Sequence, residues 1–418
     1  MHIVLCGYKV NDIIKKEGNS VRKTIVFSLV LFVVLASMLL AGCQSPAPSS
    51  GGATIKIGHI RPLTGHMAIA GQRMVKGAQL AFEEAGYQVA GKKIELIVED
   101  DAAQAEMAID KAKKLVEQDK VALILGPTVG GPQMAVSAYL NKVGVPCIHT
   151  NPSPVGVIME KHQWTIQAGS AEPQEPSCMA RYAYEQKGIK KVTVITSDFA
   201  PGHGFLNAFM ATFKKLGGQV IQEQYPPMAN PDYAPYLAAM KDADACVAWM
   251  DGTDAIKFLT QYEEFGMWKR MSIIPAFHGS FFAPFLVAAL PPKAAAPIFG
   301  QLAATPYSTL LDNPTSKKFV ASFVKRFQNT PEETESGPYT GALLVLAALK
   351  ATNGDTTPAK LKQAILDLQI EGPEGPIRFD KEKMSAIRNM YISTIEKIGN
   401  EIVWKPIYTY KDVPPLGF

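Results

Sequence analysis

From residue 54 to the C-terminus, short apolar runs alternate with longer stretches in which apolar residues recur every three or four positions. Runs such as residues 55–60 are rich in isoleucine and have the length of buried strands. Stretches such as residues 72–85 place Met74, Ala78 and Phe82 on one helical face. Strands that alternate with helices in this way predict a parallel sheet covered by helices on both faces, and therefore an α/β fold.

The alternation of strand and helix patterns begins again after Gly169, which predicts two successive α/β halves. The predicted strands are residues 55–60, 94–99, 121–125, 145–149, 192–196, 220–225, 246–250, 273–277, 298–305, 391–398 and 402–408. The predicted helices are residues 72–85, 104–118, 132–143, 174–187, 204–216, 233–241, 254–265, 316–328, 339–351 and 358–368.

The late helices and the terminal hairpin suggest that the chain returns to the first half and then to the second. Three crossings between two lobes, with a cleft between them, would follow. We predict a first lobe of residues 54–168 plus 306–377 and a second lobe of residues 169–305 plus 378–418.

The N-terminus has a different pattern. Residues 24–42 are almost uninterrupted apolar sequence after Arg22 and Lys23, which is the layout of a signal peptide. Leu40, Ala41, Gly42 and Cys43 resemble the bacterial lipobox, in which the cysteine is lipidated and becomes the new N-terminus. We therefore predict a signal peptide over residues 1–42 and lipid attachment at Cys43. A single uncleaved transmembrane helix is the alternative that this length permits.

Two further predictions concern the segments on either side of this apolar run. Residues 1–20 are too polar for a usual signal peptide, so we hypothesise that translation begins at Val21 and that residues 1–20 are not made. Residues 43–53 are rich in proline, serine, alanine and glycine, which predicts a flexible tether.

Composition narrows the functional classes. The 418 residues include 42 Lys and Arg against 38 Asp and Glu, a net charge of +4 without a basic stripe. This balance gives no electrostatic basis for nucleic-acid binding. Cys147, Cys178 and Cys246 remain after residue 43, an odd number that predicts no disulfide framework.

Motifs for catalysis or cofactor binding are absent from the sequence. Gly202 and Gly204 follow a predicted strand, but no third glycine continues a dinucleotide-binding pattern and no Gly-Lys-Ser/Thr element exists. The histidines show no metal-type pairing, and no Gly-x-Ser-x-Gly elbow occurs. We therefore expect neither an enzyme nor a cofactor.

Polar residues instead collect just past the predicted strands. Each alone is accounted for by a turn or a helix cap, but ligands of open α/β sheets bind beyond the carboxyl ends of the strands. As a set they favour a ligand cleft. The residues are Thr64, Thr128, Thr150, Asn151, Ser153, Asp198, Asp251 and His278.

Several short segments carry a family resemblance. They are Ile55-Lys56-Ile57-Gly58, Pro62-Leu63-Thr64-Gly65, Gly71, Gly77-Ala78, Glu99-Asp100-Asp101, Gly126-Pro127 and Gly375-Pro376-Ile377-Arg378-Phe379-Asp380. The chain from about residue 54 onward resembles the leucine/isoleucine/valine-binding group of periplasmic substrate-binding proteins. The resemblance implies the type I fold, with two Rossmann-like lobes joined by three hinge strands. It also implies closure on a small solute, which is delivered to an ABC permease.

The resemblance also implies a ligand site. In amino-acid binders the first-lobe loops hold the substrate carboxylate through hydroxyl and backbone N–H groups. Gly130 stands where a serine is usual, Ala70 and Pro201 replace tyrosines, and Asp251 and Gly252 replace an aromatic pair. The residues carried over are Thr128, Val129, Gly130, Gly131, Asn151 and Ser153 in the first lobe, and Phe199, Pro201, Asp251 and His278 in the second.

His278 stands where amino-acid binders have an acid that pairs with the substrate ammonium, and two interpretations follow. In one, Asp251 supplies the negative charge and His278 donates a hydrogen bond. In the other, His278 faces a carboxylate or carbonyl, and aromatic neighbours stack on an apolar or aromatic body. Those neighbours are Phe199, Trp249, Phe277 and Phe281.

We thus expect a lipid-anchored, periplasmic or cell-surface solute-binding protein of an ABC importer, which captures a small amino acid or carboxylate. Its partners would be the solute, the permease and ATPase subunits, and the membrane through the lipid anchor, with no nucleic acid. A monomer suffices for this role. A ligand-sensing receptor subunit, and a binder of aromatic carboxylates or amides, remain the alternatives. The solute and the membrane that holds the anchor stay open.

Overall fold

The computed structural model describes residues 52–418 except residues 153, 155–161, 251 and 280. The predicted signal peptide, Cys43 attachment site and most of the tether lie outside these residues, as do Ser153 and Asp251. Within the described part, no helix is both long and apolar enough to cross a membrane.

The strands of the described residues range in length from the two residues of the shortest to the fourteen of the longest. They are β1 (Gly52–Arg61), β2 (Gln88–Val89), β3 (Lys92–Asp100), β4 (Leu123–Leu125), β5 (Cys147–His149), β6 (Thr165–Gln167), β7 (Lys191–Thr196), β8 (Gln219–Gln224), β9 (Ala245–Trp249), β10 (Ser272–Pro275), β11 (Leu302–Thr305), β12 (Ile370–Gly372), β13 (Gly375–Asp380), β14 (Ser385–Ile398) and β15 (Glu401–Val413).

The helices lie between these strands and supply the amphipathic layers. They are α1 (Ala68–Glu84), α2 (Ala105–Lys113), α3 (Gly130–Val143), α4 (Gln174–Glu185), α5 (Ala200–Lys215), α6 (Ala234–Ala238), α7 (Gly252–Glu264), α8 (Pro284–Ala289), α9 (Pro292–Ala295), α10 (Pro314–Phe327), α11 (Glu333–Ala351) and α12 (Pro358–Asp367).

The strands form two sheets. The larger runs β12-β13-β14-β6-β5-β4-β1-β3-β2, and β11 and β15 also pair with β14. Within it, β1, β4, β5 and β6 are parallel neighbours. The smaller sheet, β10-β9-β7-β8, is parallel throughout. Parallel strands covered by helices on both faces read as continuous apolar runs, which explains why every residue of β4 and β9 is buried.

The two largest apolar cores define two parts of the molecule, and a third, smaller cluster, which contains Ile60 and Ile124, also packs on the larger sheet. The first core contains Ile57 of β1 and Ala342 of α11, and the second contains Val194 of β7 and Ile274 of β10. We call the parts built around them the first and second lobes. Strand β14 belongs to both, since Ala386 packs in the first core and Ile392 in the second.

Most predicted elements are confirmed to within a few residues, and the differences have physical reasons. Helix α11 begins at Glu333 rather than at residue 339, because Glu332 and Glu335 form a capping box that fixes its first turn ahead of Pro338. Strand β11 begins at Leu302 rather than at 298, because residues Ala296–Ile298 form a 3-10 turn. The predicted lobe boundaries stay a prediction, although Phe379 packs in the first core and favours moving the last boundary into β14.

Candidate ligand-binding cleft

A cavity of about 840 Å³ is lined by residues of both lobes. Residues that follow the carboxyl ends of β4, β5, β7, β9 and β10 line it, and ligands of parallel α/β sheets bind at such ends. The predicted site residues that line it are Thr128, Val129, Gly130, Gly131, Asn151, Phe199, Pro201 and His278, and Ala70 also lines it.

The first-lobe wall is the N-terminus of α3. The chain turns sharply between β4 and α3 at Gly126, where φ is +102° and a Cβ would lie 2.3 Å from the carbonyl oxygen of Ile60. Val129 caps the helix without a side-chain hydrogen bond, and no acidic residue occupies the first turn. The N–H groups of Val129, Gly130 and Gly131, which have no partner within the helix, therefore offer the helix dipole to an anion.

Gly130, which stands where the family resemblance expects a serine, has a local explanation. A Cβ at this position would lie 2.9 Å from Cγ of Pro154, so a larger side chain would require the neighbouring loop to move. The backbone N–H is what this residue can contribute.

A buried guanidinium lies behind the same wall. Arg61, at the end of β1, is 0% exposed. Its Nη1 donates to Asn151 Oδ1 at 2.7 Å and to Thr128 Oγ1 at 3.0 Å, and its Nη2 donates to Thr150 Oγ1 at 2.6 Å. Its Nε donates to His59 Nε2 at 2.6 Å. Burial lowers the pKa of Arg61 to about 10, which still leaves it charged at neutral pH.

The second-lobe wall is aromatic. Phe199 stacks on Trp249 with ring centroids 5.2 Å apart, and Phe205 stacks on Phe277 at 4.4 Å. Trp249 meets Phe205 edge-on, and its Nε1 donates to the carbonyl of Gly279 at 2.9 Å. This wall presents ring faces and edges on which an apolar or aromatic body can pack.

Phe281 does not belong to this wall. It is fully buried in the second core, where it stacks on Phe282 at 5.1 Å. The interpretation that counted it among the stacking neighbours of a ligand is wrong, because its ring faces the core.

His278 lines the cavity but has different partners from those considered at the sequence level. Its Nδ1 lies 2.8 Å from Glu175 Oε2 and its Nε2 lies 2.6 Å from Glu333 Oε2. Burial lowers the pKa of His278, but the two carboxylates more than reverse this and raise it to about 10. The imidazolium therefore donates both of its N–H groups to carboxylates. An interpretation in which it donates directly to a ligand does not fit this geometry.

The two carboxylates come from different lobes. Glu175 is in the first turn of α4, is 2% exposed, and also accepts from Ser170 Oγ at 3.0 Å. Glu333 is the first residue of α11, which packs on the first core. The contact between Glu333 and His278 therefore joins the first lobe to the second across the cavity.

Further acids line the cavity. Glu332 lies 3.4 Å from Arg73, and burial raises the pKa of Glu332. Glu172 and Glu401 also reach the cavity. Among the residues that the structure describes, no group of three or more His, Cys, Asp or Glu is arranged to hold a metal ion.

The sequence prediction missed Arg61, Phe205, Glu175 and Glu333. Arg61 carried one usable signal, since it ends a buried strand at the edge where the other predicted site residues lie. Glu333 opens α11 and Glu175 lies in the first turn of α4, where an acid is ordinarily explained by the helix dipole, so no sequence pattern placed either residue in a site.

Comparisons with known proteins give a consistent result. A family model described as periplasmic binding protein matches residues 54–400. The curated Leu/Ile/Val-binding protein homolog 6 of Brucella melitensis is 27% identical over 385 residues, which is 90% of this chain and 97% of the relative.

Two solved structures are similar over most of both chains. An ABC transporter substrate-binding protein from Sphaerobacter thermophilus superposes with a TM-score of 0.82 at 29% identity, over 87% of this chain and 100% of that chain. An ABC transporter solute-binding protein from Rhodopseudomonas palustris BisB5, in complex with 3,4-dihydroxybenzoic acid, has a TM-score of 0.77 at 31% identity, over 87% and 98% of the two chains.

Proposed function

The chain belongs to the periplasmic binding protein family, with the type I fold of two α/β lobes, and we propose that it delivers a small carboxylate to an ABC importer. Proteins of this family bind solutes and are not enzymes, and membership implies an exported, periplasmic protein. The carboxylate would be captured in the cavity between the lobes and released to the permease.

One observation carries the proposal. The cavity has an uncapped helix N-terminus on one wall and a cluster of aromatic rings on the other. The first wall suits the anionic end of a solute, and the second suits an apolar body. A ring-bearing carboxylate fits both walls, and the relative from Rhodopseudomonas palustris holds such a molecule.

A branched-chain amino acid is the second candidate. The acids Glu172, Glu332 and Glu333 line the cavity, and a substrate ammonium would be attracted to them. The curated relative from Brucella melitensis carries a Leu/Ile/Val-binding name. We favour the aromatic carboxylate because Glu333 is already paired with His278 and Glu332 with Arg73.

The site is proposed residue by residue. Backbone and side-chain donors of the first lobe would hold the carboxylate, and residues of the second lobe would contact the body after closure. The proposed first-lobe residues are Thr128, Val129, Gly130, Gly131, Asn151 and Ser153. The proposed second-lobe residues are Phe199, Pro201, Asp251 and His278, of which His278 acts by fixing closure.

Isothermal calorimetry of the purified protein tests the solute class. We expect benzoate or 3,4-dihydroxybenzoate to bind more tightly than leucine or valine, and to be recovered unchanged after incubation. Binding of leucine and valine alone would establish the second candidate. Absence of binding to all four at millimolar concentration would contradict the proposed function.

The proposed anchor is a lipid on Cys43. The lipobox-like segment before it supports this, as do the exported location that the family implies and the tether-like composition after it. Mass spectrometry of the wild-type protein should find a mature chain that begins at a diacylated Cys43, and Cys43→Ala should carry no lipid, whereas Ser45→Ala should keep it. A wild-type chain of full precursor length without a lipid would favour an uncleaved transmembrane helix instead.

Transport and sensing make different genetic predictions. For an importer, deletion of the gene should abolish uptake of the bound solute, and the protein should act as a monomer on size-exclusion chromatography with light scattering. Intact uptake together with loss of a transcriptional response to the solute would indicate a receptor subunit.

A further inference from the structure

Arg61 is the largest fully buried charged side chain in the described part of the chain, and it does not line the cavity. Two of its hydrogen-bond acceptors, Thr128 and Asn151, do line it. The guanidinium is therefore one side chain removed from any ligand on the first-lobe wall.

The contacts of Arg61 fix which way both wall residues point. A guanidinium can only donate hydrogen bonds, so each partner must accept. Asn151 meets Nη1 through Oδ1, which leaves its amide N–H groups as the groups available to a ligand. Thr128 accepts through Oγ1 and keeps its own hydroxyl proton to donate, which here goes to the weak acceptor Met74 Sδ, 3.2 Å from Oγ1.

The charge of Arg61 is also poorly compensated inside the protein. Within the described residues it has no carboxylate in ion-pair contact. Asp101 interacts with it only at longer range, since one carboxylate oxygen of Asp101 accepts from the N–H of Ala103 and the other has no hydrogen-bond partner there. A buried cation of this kind favours an anion nearby.

We infer that Arg61 is a positioning residue that turns Thr128 and Asn151 into hydrogen-bond donors and so makes the first-lobe wall select carboxylates over neutral amides. The inference rests on the proposed function and concerns how the wall discriminates. A carboxylate presents only acceptors to this wall, whereas the isosteric amide turns an NH2 group toward donors. The positive charge of Arg61 adds a preference for the anion.

The ratio of the affinities for benzoate and benzamide measures this selection. We expect the wild-type protein to prefer benzoate, and Arg61→Met to reduce the ratio by about 10- to 100-fold, the range for a charge-assisted hydrogen bond. A role confined to folding would lower both affinities together. Arg388→Met is the matched control, because Arg388 is also a buried arginine but donates to the backbone carbonyl of Ala168 and does not line the cavity.

A second variant does not depend on the removal of the buried charge. Asn151→Asp keeps the shape of the side chain and gives Arg61 a carboxylate partner, but it replaces the amide donor by an acceptor. We expect this variant to fold. Its affinity for benzoate should fall by about 100-fold, and its affinity for benzamide should fall by less.

The outcomes separate the two proposals. If wild-type protein binds benzoate and both variants keep the wild-type ratio, the inference about Arg61 is overturned and the proposed function stands. If the wild-type protein binds neither benzoate nor any other carboxylate tested, the proposed function fails and the inference fails with it.

Discussion

The two walls of the cavity are built in different ways. The first wall is assembled within one lobe, since Arg61 ends β1 and donates to Thr128 and Asn151, which follow β4 and β5 of the same sheet. On the second wall, His278 is held by Glu175 of its own lobe and by Glu333 of the other. The contacts of the first wall thus lie within one lobe, whereas the second wall includes a contact between the lobes.

This difference assigns two tasks of a binding protein to different residues. A preassembled wall can recognise the anion in the open state at no further ordering cost. A contact that exists only between the lobes stabilises the closed state and therefore shifts the open–closed population. If this is correct, the contact of His278 with Glu175 mainly stabilises the second lobe, and its contact with Glu333 mainly stabilises the closed state.

The largest expected effect comes from the carboxylate inside the second lobe. Glu175→Leu leaves the buried imidazolium of His278 without its partner from the same lobe, so we expect the free energy of unfolding to fall by about 3 to 5 kcal/mol. Urea denaturation followed by circular dichroism measures it.

The matched control is the double variant Glu175→Leu with His278→Leu. It removes both charges, and we expect it to recover a large part of the lost stability. A single variant within about 1 kcal/mol of the wild type would show that the Glu175 contact contributes little.

The next effect is a dependence on pH. The pKa of His278 is about 10 in the folded protein and near 6.5 in the unfolded chain, so the folded state binds more protons between these values. The contribution of His278 to stability is therefore complete below about pH 6.5 and is lost as the pH rises toward about 10, by at most about 1.4 kcal/mol per pH unit.

Glu175 and Glu332 also make the protein less stable as the pH rises, but at lower pH than His278 does. The reason is that burial raises the pKa of both carboxyl groups. The difference in unfolding free energy between the wild type and His278→Gln isolates the imidazole. We expect this difference to shrink between pH 7 and pH 10. A constant difference would mean that His278 does not carry a charge in the folded state.

A smaller effect is expected from the carboxylate that crosses the cavity. Glu333→Gln removes the charge of the contact between lobes, while Glu175 still neutralises His278. We expect benzoate affinity to fall about tenfold through loss of the closed state, with a change in unfolding free energy below about 1 kcal/mol.

Small-angle X-ray scattering with saturating benzoate should show a larger radius of gyration for Glu333→Gln than for the wild type. Glu396→Gln is a suitable control, because Glu396 pairs with Lys405 on the terminal hairpin and does not line the cavity. Equal losses of stability in Glu333→Gln and Glu175→Leu would remove the distinction between the two contacts.

Much of the fold could be predicted from the sequence because amphipathic helices and buried parallel strands leave strong periodic patterns. The exceptions are elements whose pattern is weak. Strand β6 has only three residues, Thr165–Gln167, and β14 begins at Ser385, six residues before the predicted start. Polar residues such as Arg388 are buried in that first part of β14, so no apolar run marks it.

The site was predictable only where strand ends supplied it. Thr128 and Asn151 were found because they follow strands, whereas Arg61 was missed because arginine is ordinarily exposed. The partners of His278 could not be found at all, since Glu175 is 103 residues away in the sequence and no local pattern links the two. Long-range ion pairs of this kind become visible only when the fold brings the elements together.

The smallest expected effect concerns the aromatic part of the second wall. It is measured by comparing two ligands, benzoate and leucine, rather than two lobes. Phe199 is half-buried and stacks on Trp249, so it can pack against a bound ring without being needed for the core. We expect Phe199→Leu to weaken benzoate by about 3- to 10-fold, the value of one aromatic contact, because leucine keeps the apolar volume but not the ring. Phe265→Leu, at an exposed phenylalanine outside the cavity lining, should leave affinity unchanged. Calorimetry with benzoate and with leucine as ligands then separates two explanations of the wall. A selective loss of affinity for benzoate means that the rings recognise an aromatic body. An equal loss of affinity for both ligands means that the rings only fill space beside a solute that the first wall selects.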